Sequence, residues 1–473
     1  MKTIETDVVV IGAGITGLTT AFNLIKSGKR VLLLEKSDRV GGQLKTVVDK
    51  GYIFETGPNT GVLNNMDAIE LFEQLDNRIQ AQTARKESKI RLIWKGKSFH
   101  ALPSGLLSAV ATPLFSPLDK LRICFEPWRS KGTNPMESIG SLTRRRLGKT
   151  FFTHAIDPFI SGVYAGDPDR LVTQFAMPKL YKLEQNYGSF IRGALKLQGL
   201  PKTDADKKVT KEVFSTPGGF GQLATALGEA LGAESIRLSC GSIQLEPLDE
   251  NRGWQATLPE LGERILAKSV VSTVPAYALS ELLPFVEKGL LSDITNMPYA
   301  AVVQVGVGIR EGAERIPMAF GGLVPSCEKK DVLGILFPSS CFPNRAPEGC
   351  ATLAFFMGGR KRPEIANWSD EKIRATVCNA LVEMLGFPSN YQPEALQLFR
   401  HKQAIPQYEA DSEARLQAIE GIEQAYPGLI LAGGIRDGIG LGDRIKQAAQ
   451  IAKNLAPQVA NPSCQTTSTW IFP

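Results

Sequence analysis

The stretch VVVIGAGITGL, residues 8–18, constrains this chain most, because it sets Gly12, Gly14 and Gly17 between a β-branched run and an amphipathic segment. Residues 6–11 read as a buried strand. Leu18, Ala21, Phe22 and Ile25 mark one face of a helix that Gly28 ends, and RVLLLE, residues 30–35, reads as the next buried strand. The right-handed crossover of such a unit puts the helix N-terminus over the carboxyl end of the first strand, where free N–H groups meet a pyrophosphate. Gly12, Ala13, Gly14, Ile15, Thr16 and Gly17 are the expected contacts. The motif alone leaves the nucleotide open.

The second strand and the turn after it narrow the choice. Glu35, closing that strand, presents a carboxylate to both hydroxyls of a ribose and repels a 2′-phosphate, which disfavours NADP. EKSDRVGGQLKT then supplies Arg39, Gly41 and Gly42, a second anion-friendly turn that an extended flavin dinucleotide uses and an NAD enzyme does not need. Far along the chain, LILAGGIRDGIGLGDRI, residues 429–445, repeats the order strand, glycine-rich turn, helix, and suits the pyrimidine end of an isoalloxazine ring. Three signals at two ends of one chain point to non-covalent FAD in a discontinuous α/β, Rossmann-like domain.

Composition removes other chemistries. Seven scattered cysteines without CxxC spacing argue against a zinc site or a disulfide framework and for a reducing compartment, and three histidines are little material for a metal centre. His100, His154 and His401 read as surface or packing residues. A net charge of +6 over 473 residues is weak support for a nucleic-acid partner, and a membrane surface or an anionic small molecule explains it equally well. The N-terminus enters its first strand at once, without the pattern of a signal or transit peptide. Residues 101–118, the longest uncharged stretch, are interrupted by Pro103, Pro113 and Pro117, so no spanning helix is expected. The expected location is cytoplasmic, with peripheral contact on the inner face of the membrane left open, as is a homodimer.

The expected organisation is an FAD-binding domain of residues 1–82, 212–276 and 421–460. A mixed-sheet substrate domain takes residues 83–95, 174–211 and 277–420, where AAVVQVGVGI and ATLAFFMGG show strand-like alternation. A helical insertion occupies residues 96–173, and residues 461–473 form a tail.

RVGGQLKT, residues 39–46, resembles the second fingerprint of the flavin-dependent amine oxidase superfamily, with Gln43 at a position usually held by Arg. FETGPNTG, RLIWKGKSFHALPSG, DPFISGVYAGDPDRL, LYKLEQNYGSFIRG and LGILFPSSCFPNRAPEG extend the resemblance over nearly the whole chain and direct it to the protoporphyrinogen oxidases of that superfamily. AIPQYEADSEAR departs from their pattern, which often continues PQY with Gly and His. The resemblance adds Lys36, Gly42, Gln43, Gly57, Pro58, Asn59, Thr60, Ser242, Gly433, Ile439, Gly440 and Leu441 to the cofactor contacts. It places Leu323, Leu336 and Phe356 as apolar pocket walls, Arg91 as the partner of a substrate propionate, and Gly162 and Asn59 beside the ring. Read without it, the three apolar residues are equally well core, Arg91 a solvated strand residue, and Gly162 and Asn59 turn residues. RLGKTFFTHAIDPF and LLSAVATPLFSPLDKLRICFEPW match the region that docks such enzymes on membranes, or form an ordinary helical subdomain.

The implied reaction is oxidation of protoporphyrinogen IX to protoporphyrin IX by hydride transfer to flavin N5. Molecular oxygen is the acceptor and hydrogen peroxide the by-product, with no dedicated catalytic residue. Coproporphyrinogen III oxidation at the same site is the near alternative. An amine oxidase or carotenoid desaturase is more distant, and a porphyrin carrier is the non-enzymatic reading.

Overall fold

The computed structural model describes residues 1–75, 77–103, 105–201, 203–248 and 253–456. The tail expected at 461–473 lies outside them. Two seven-stranded sheets organise the chain. The first runs in the order Ile236–Arg237, Val31–Leu34, Lys2–Ile11, Glu263–Ser272, Trp254–Leu258, Gln244–Pro247. Glu263–Ser272 is shared along its length: its first half pairs antiparallel with Trp254–Leu258, and its second half pairs parallel with Leu429–Leu431. Lys2–Ile11 pairs parallel with both Val31–Leu34 and Glu263–Ser272. Strands from residues 2, 263 and 429 onward thus end side by side, so the fold is a discontinuous, Rossmann-like α/β architecture, as expected.

The helix Ile15–Lys26 buries Leu18, Ala21 and Leu24, and Leu441–Leu455 buries Ile445, Ala448 and Ala452, each set on one helical face. They belong to one apolar core, together with Leu223 and Leu227 of Phe220–Leu231. Head and tail of the chain are therefore packed together.

The second sheet runs in the order Ala395–Pro406, Tyr299–Ile309, Ala351–Gly358, Val332–Leu336, Gly321–Leu323, Arg91–Lys95, Ser98–Ala101. The alternation expected in its central strands is absent: Val302 to Ile309 are all buried. Val303, Val305 and Val307 pack with Ile373, Val377 and Leu381 of the helix Asp370–Leu385. On the other face, a Cβ at Gly306 or Gly308 would strike the rings of Phe54 and Tyr52. Covering on both sides erases the polar half of the pattern.

The helical insertion is knitted by charge to residues 178–198, the helices Pro178–Tyr187 and Phe190–Gln198. Arg146 is fully buried and donates from Nε to Glu126 Oε1 at 2.5 Å and from Nη1 to Glu184 Oε1 at 2.7 Å. Glu126 also accepts from Ser189 Oγ and from the amides of Phe190 and Ile191. Burial alone would push the Glu126 carboxyl up, but these hydrogen bonds outweigh it and hold the group below its usual range. Arg144 pairs with Asp169, and Arg145 with Glu137 and Glu184. Of these three consecutive arginines, Arg146 is buried, while Arg144 and Arg145 are half-buried and ion-paired.

Candidate functional site

The first strand ends at Ile11, and Gly12 turns the chain with φ +99°. A Cβ on Gly17 would stand 1.9 Å from Gly12 O, so helix and turn approach more closely than any side chain allows. Gly14 caps the helix without a side-chain partner, no acidic residue occupies the first turn, and a Cβ there would meet nothing within 4 Å. The first intrahelical amide is that of Leu18, bonded to Gly14 O. Among the described residues the amides of Ile15, Thr16 and Gly17 have no hydrogen-bond partner, they lie at the positive end of the helix dipole, and the space beside Gly14 is open, which fits a pyrophosphate.

The second glycine turn leans on the first. Gly41 N donates to Ala13 O at 2.7 Å, and a Cβ on Gly42 would come within 3.2 Å of Gly14 Cα. Arg39 closes this turn on itself, donating to Val40 O and Gly42 O. Glu35 accepts Ala13 N at 2.7 Å and Ser37 N at 2.8 Å, which fixes its carboxylate beside the cradle with lone pairs to spare for a ribose. Ser242 lies on the connection beyond Cys240, whose amide donates to Glu35 O, but its own amide and hydroxyl go to Glu260. Lys36 is exposed and reaches Glu281 at 4.0 Å. Neither side chain is directed into the cradle by a contact.

The C-terminal signal arrives beside the other two. Ala432 N donates to Ser272 O, and Gly433, with φ +89°, has its amide on Gln447 Oε1. Gly440 caps Leu441–Leu455, and Ile439 and Leu441 pack into the cores on either side. Asn65 donates to Gly442 O and Asn64 to Asp443, which ties this helix start to the segment after Gly57–Thr60. Thr273 carries no motif signal, yet it joins the cradle. Its hydroxyl bonds Ile11 O and Gly12 O, and its Oγ1 is the first atom a Cβ on Gly12 would meet.

A polar seam ties the second sheet to the hairpin Thr46–Asp49/Tyr52–Glu55 and to Gln43 beyond the second glycine turn, next to the Gly57–Thr60 turn. Gln304 donates to Glu55 O at 2.6 Å, His401 Nε2 donates to Thr56 O at 2.6 Å, and Gln43 reaches Ala404 O at 3.1 Å. Gln43 also sits under Gly57, where a Cβ would strike Gln43 O at 2.3 Å. Glu55 is buried against Arg345 at 3.3 Å. Burial pushes the Glu55 carboxyl up and the Arg345 guanidinium down, while the Phe220 amide, Arg345 and Thr46 pull Glu55 back. His401, expected as a surface or packing residue, is half-buried and ties the second sheet to the turn just beyond the strand Tyr52–Glu55. Asn59 folds back onto Gly57 O and lines a small cavity with Glu55, Gln304 and Arg345; Pro58 and Thr60 are half-buried beside it.

The expected substrate residues share one face of the second sheet. Register places Arg91, Gly321, Leu336, Ala354 and Gly306 in one row, and Ile93, Leu323, Gly334, Phe356 and Gln304 in the next. Partners across a sheet point the same way, and each row crosses four strand steps, roughly 19 Å. Leu323, Leu336 and Phe356 are half-buried, on the face opposite the Val303, Val305 and Val307 core. A Cβ on Gly162 would lie 2.3 Å from Leu323 Cδ2, so the helix Asp157–Val163 closes directly on this face. Arg91 stands at the far end of its row, on the strand next to the edge strand Ser98–Ala101, with its guanidinium 5.4 Å over the Phe320 ring. The rows run from that cation, across apolar walls, to Gln304 on the seam.

Comparison with known proteins agrees with this geometry. The pattern of the flavin containing amine oxidoreductase family matches residues 15–436. The mitochondrial protoporphyrinogen oxidase of Nicotiana tabacum is 30% identical over 478 residues, covering 94% of each chain. The coproporphyrinogen III oxidase of Bacillus subtilis is 28% identical, covering 93% of this chain and 96% of its own. A crystal structure from Exiguobacterium sp. 255-15, provisionally named a protoporphyrinogen oxidase, superposes with a TM-score of 0.78 at 22% identity over 96% of this chain and 98% of its own. The chain is therefore a member of the flavin containing amine oxidoreductase family, a flavin-dependent oxidoreductase closely related to the protoporphyrinogen and coproporphyrinogen oxidases.

Proposed function

We propose that this protein oxidises protoporphyrinogen IX to protoporphyrin IX with molecular oxygen as acceptor. The observation that carries the reading is the single sheet face bearing Arg91, Leu323, Leu336 and Phe356, closed by Gly162 and joined at Gln304 to the turn beside the glycine cradle. A reduced tetrapyrrole is a broad apolar ring with carboxylates at one edge, and this face offers apolar walls with a cation at one end. FAD, when bound, supplies the hydride acceptor at N5. Arg91 holds a propionate and fixes the ring's orientation, because a guanidinium pairs with a carboxylate in two parallel hydrogen bonds. Leu323, Leu336 and Phe356 exclude water from the ring. The Glu55, Gln304 and His401 contacts hold the Gly57–Thr60 turn in register with that face.

Coproporphyrinogen III is the second reading, favoured by the similarity to the Bacillus subtilis enzyme. The holoenzyme is mixed aerobically with each porphyrinogen and porphyrin fluorescence is followed. Faster turnover of protoporphyrinogen supports the first reading, faster turnover of coproporphyrinogen the second, and turnover of neither rejects both.

We also propose a membrane-facing surface on the helical insertion. Leu118 is 78% exposed and Trp128 73%, with Leu121 and Phe125 exposed between them and Arg122 and Arg129 interleaved. No helix among the described residues is long and apolar enough to cross a membrane.

A further inference from the structure

Arg91 opens on a cavity of about 180 Å3 at the start of its strand, also lined by Ser88, Lys89, Lys211, Glu212 and Phe320. Ligand sites that enclose a drug-sized molecule measure roughly 300 Å3 or more. This one is too small for a macrocycle and large enough for the acidic substituents of one.

Its charge is unbalanced. Three cations line it with a single carboxylate, and that carboxylate, on Glu212, pairs among the described residues only with Lys89, at 3.7 Å. Among the described residues no acidic group pairs with Arg91, whose guanidinium lies over Phe320, or with Lys211. Lys211 is nevertheless held in place. Its backbone adopts φ +55°, its amide donates to Leu63 O at 2.9 Å, and the next carbonyl, Glu212 O, accepts Leu63 N at 3.0 Å. A lysine fixed in left-handed backbone beside an unpaired arginine at a cavity mouth suits a site that receives two anionic groups side by side.

We propose that Lys211, assisted by Lys89, is the anchor for a second carboxylate of the substrate edge whose first carboxylate is held by Arg91. The inference rests on the porphyrinogen reading above and adds a specificity determinant to it. Arg91 sets the position of the ring, and the lysine pair distinguishes an edge with two free carboxylates from an edge with one. Glu212 keeps the Lys89 ammonium at the rim until a carboxylate displaces it.

The test compares protoporphyrinogen IX with its monomethyl ester on the holoenzyme and on the K89A/K211A double variant. The native protein is expected to show a KM about five- to tenfold lower for the diacid than for the monoester. In the double variant that preference falls to less than about twofold, through a higher KM for the diacid at similar kcat, and K89R/K211R restores it. Equilibrium binding of protoporphyrin IX and its monomethyl ester, read by fluorescence, moves in the same direction. A double variant that keeps the native preference, or that raises KM equally for both substrates, overturns the anchor and leaves the functional reading standing. Turnover of neither substrate by the native protein rejects that reading, and the anchor with it.

Discussion

Replacing Gly14 by alanine separates cofactor binding from folding. Gly14 has φ −71° and ψ 177°, which alanine adopts freely, and a Cβ there meets nothing within 4 Å. Losing the N-cap preference of glycine costs about 0.5–1 kcal/mol, and the smaller entropy of the unfolded chain returns about 0.4–1 kcal/mol. Apoprotein stability should therefore change by less than about 0.5 kcal/mol. The new methyl projects into the space beside the amides of Ile15, Thr16 and Gly17, where the pyrophosphate is expected. Forcing a methyl into an occupied, close-packed space costs about 1–3 kcal/mol, which corresponds to an FAD Kd weaker by about 5- to 150-fold. The assay is titration of deflavinated protein with FAD, read by quenching of flavin fluorescence, beside chemical denaturation of the same apoprotein. G17A is the contrasting variant: its Cβ would lie 1.9 Å from a backbone oxygen, so apoprotein stability itself should fall. If G14A binds FAD as tightly as the native chain, the cradle is not the pyrophosphate site and the reasoning fails.

Four other outcomes are expected. R146M leaves Glu126 buried without its cation and Glu184 with Arg145 alone, and should destabilise the protein by about 3–5 kcal/mol in chemical denaturation; a loss below about 1 kcal/mol contradicts the buried network. The Glu126 and Glu184 carboxyls are held below the usual glutamate range, so the stability they contribute is present above that range and is lost as pH falls through their lower folded pKa values. Denaturation midpoints of the native chain should drop in acid more steeply than those of an E126Q/E184Q variant, and parallel profiles would refute this. In G162A the new methyl displaces only the mobile end of Leu323, so KM should rise several-fold while the melting temperature moves by less than about 2 °C; an unchanged KM removes Gly162 from the site. L118D/W128E should abolish co-sedimentation with anionic vesicles at unchanged turnover of soluble substrate, whereas retained sedimentation places the membrane contact elsewhere.

The cofactor cradle was legible in the sequence because its signals are local. A strand, a glycine turn and a helix adjoin one another at Gly12–Gly17 and again at Gly433–Leu441, and Glu35 comes at the spacing a βαβ unit imposes. Contacts between distant segments left no such trace. Thr273 meets Gly12, and Gln304, Arg345 and His401 meet Glu55 and Thr56, all across more than two hundred residues, each as an ordinary polar residue in its own neighbourhood. The buried pairing of Arg146 left no trace for the same reason: nothing near three consecutive arginines tells that Glu126 and Glu184 are brought onto one of them. Alternation failed in Tyr299–Ile309 because Tyr52 and Phe54, from the hairpin near the N-terminus, cover the face that the pattern left for solvent.

The central claim is that the two ends of the chain enclose one flavin beside the sheet face that carries Arg91 and Phe356. Anaerobic addition of protoporphyrinogen IX to the purified holoenzyme, monitored in the visible spectrum, tests it most directly. The account predicts a flavin spectrum that bleaches as porphyrin absorption rises and returns when oxygen is admitted. A colourless protein, or a flavin that stays oxidised while the porphyrinogen is present, would contradict it.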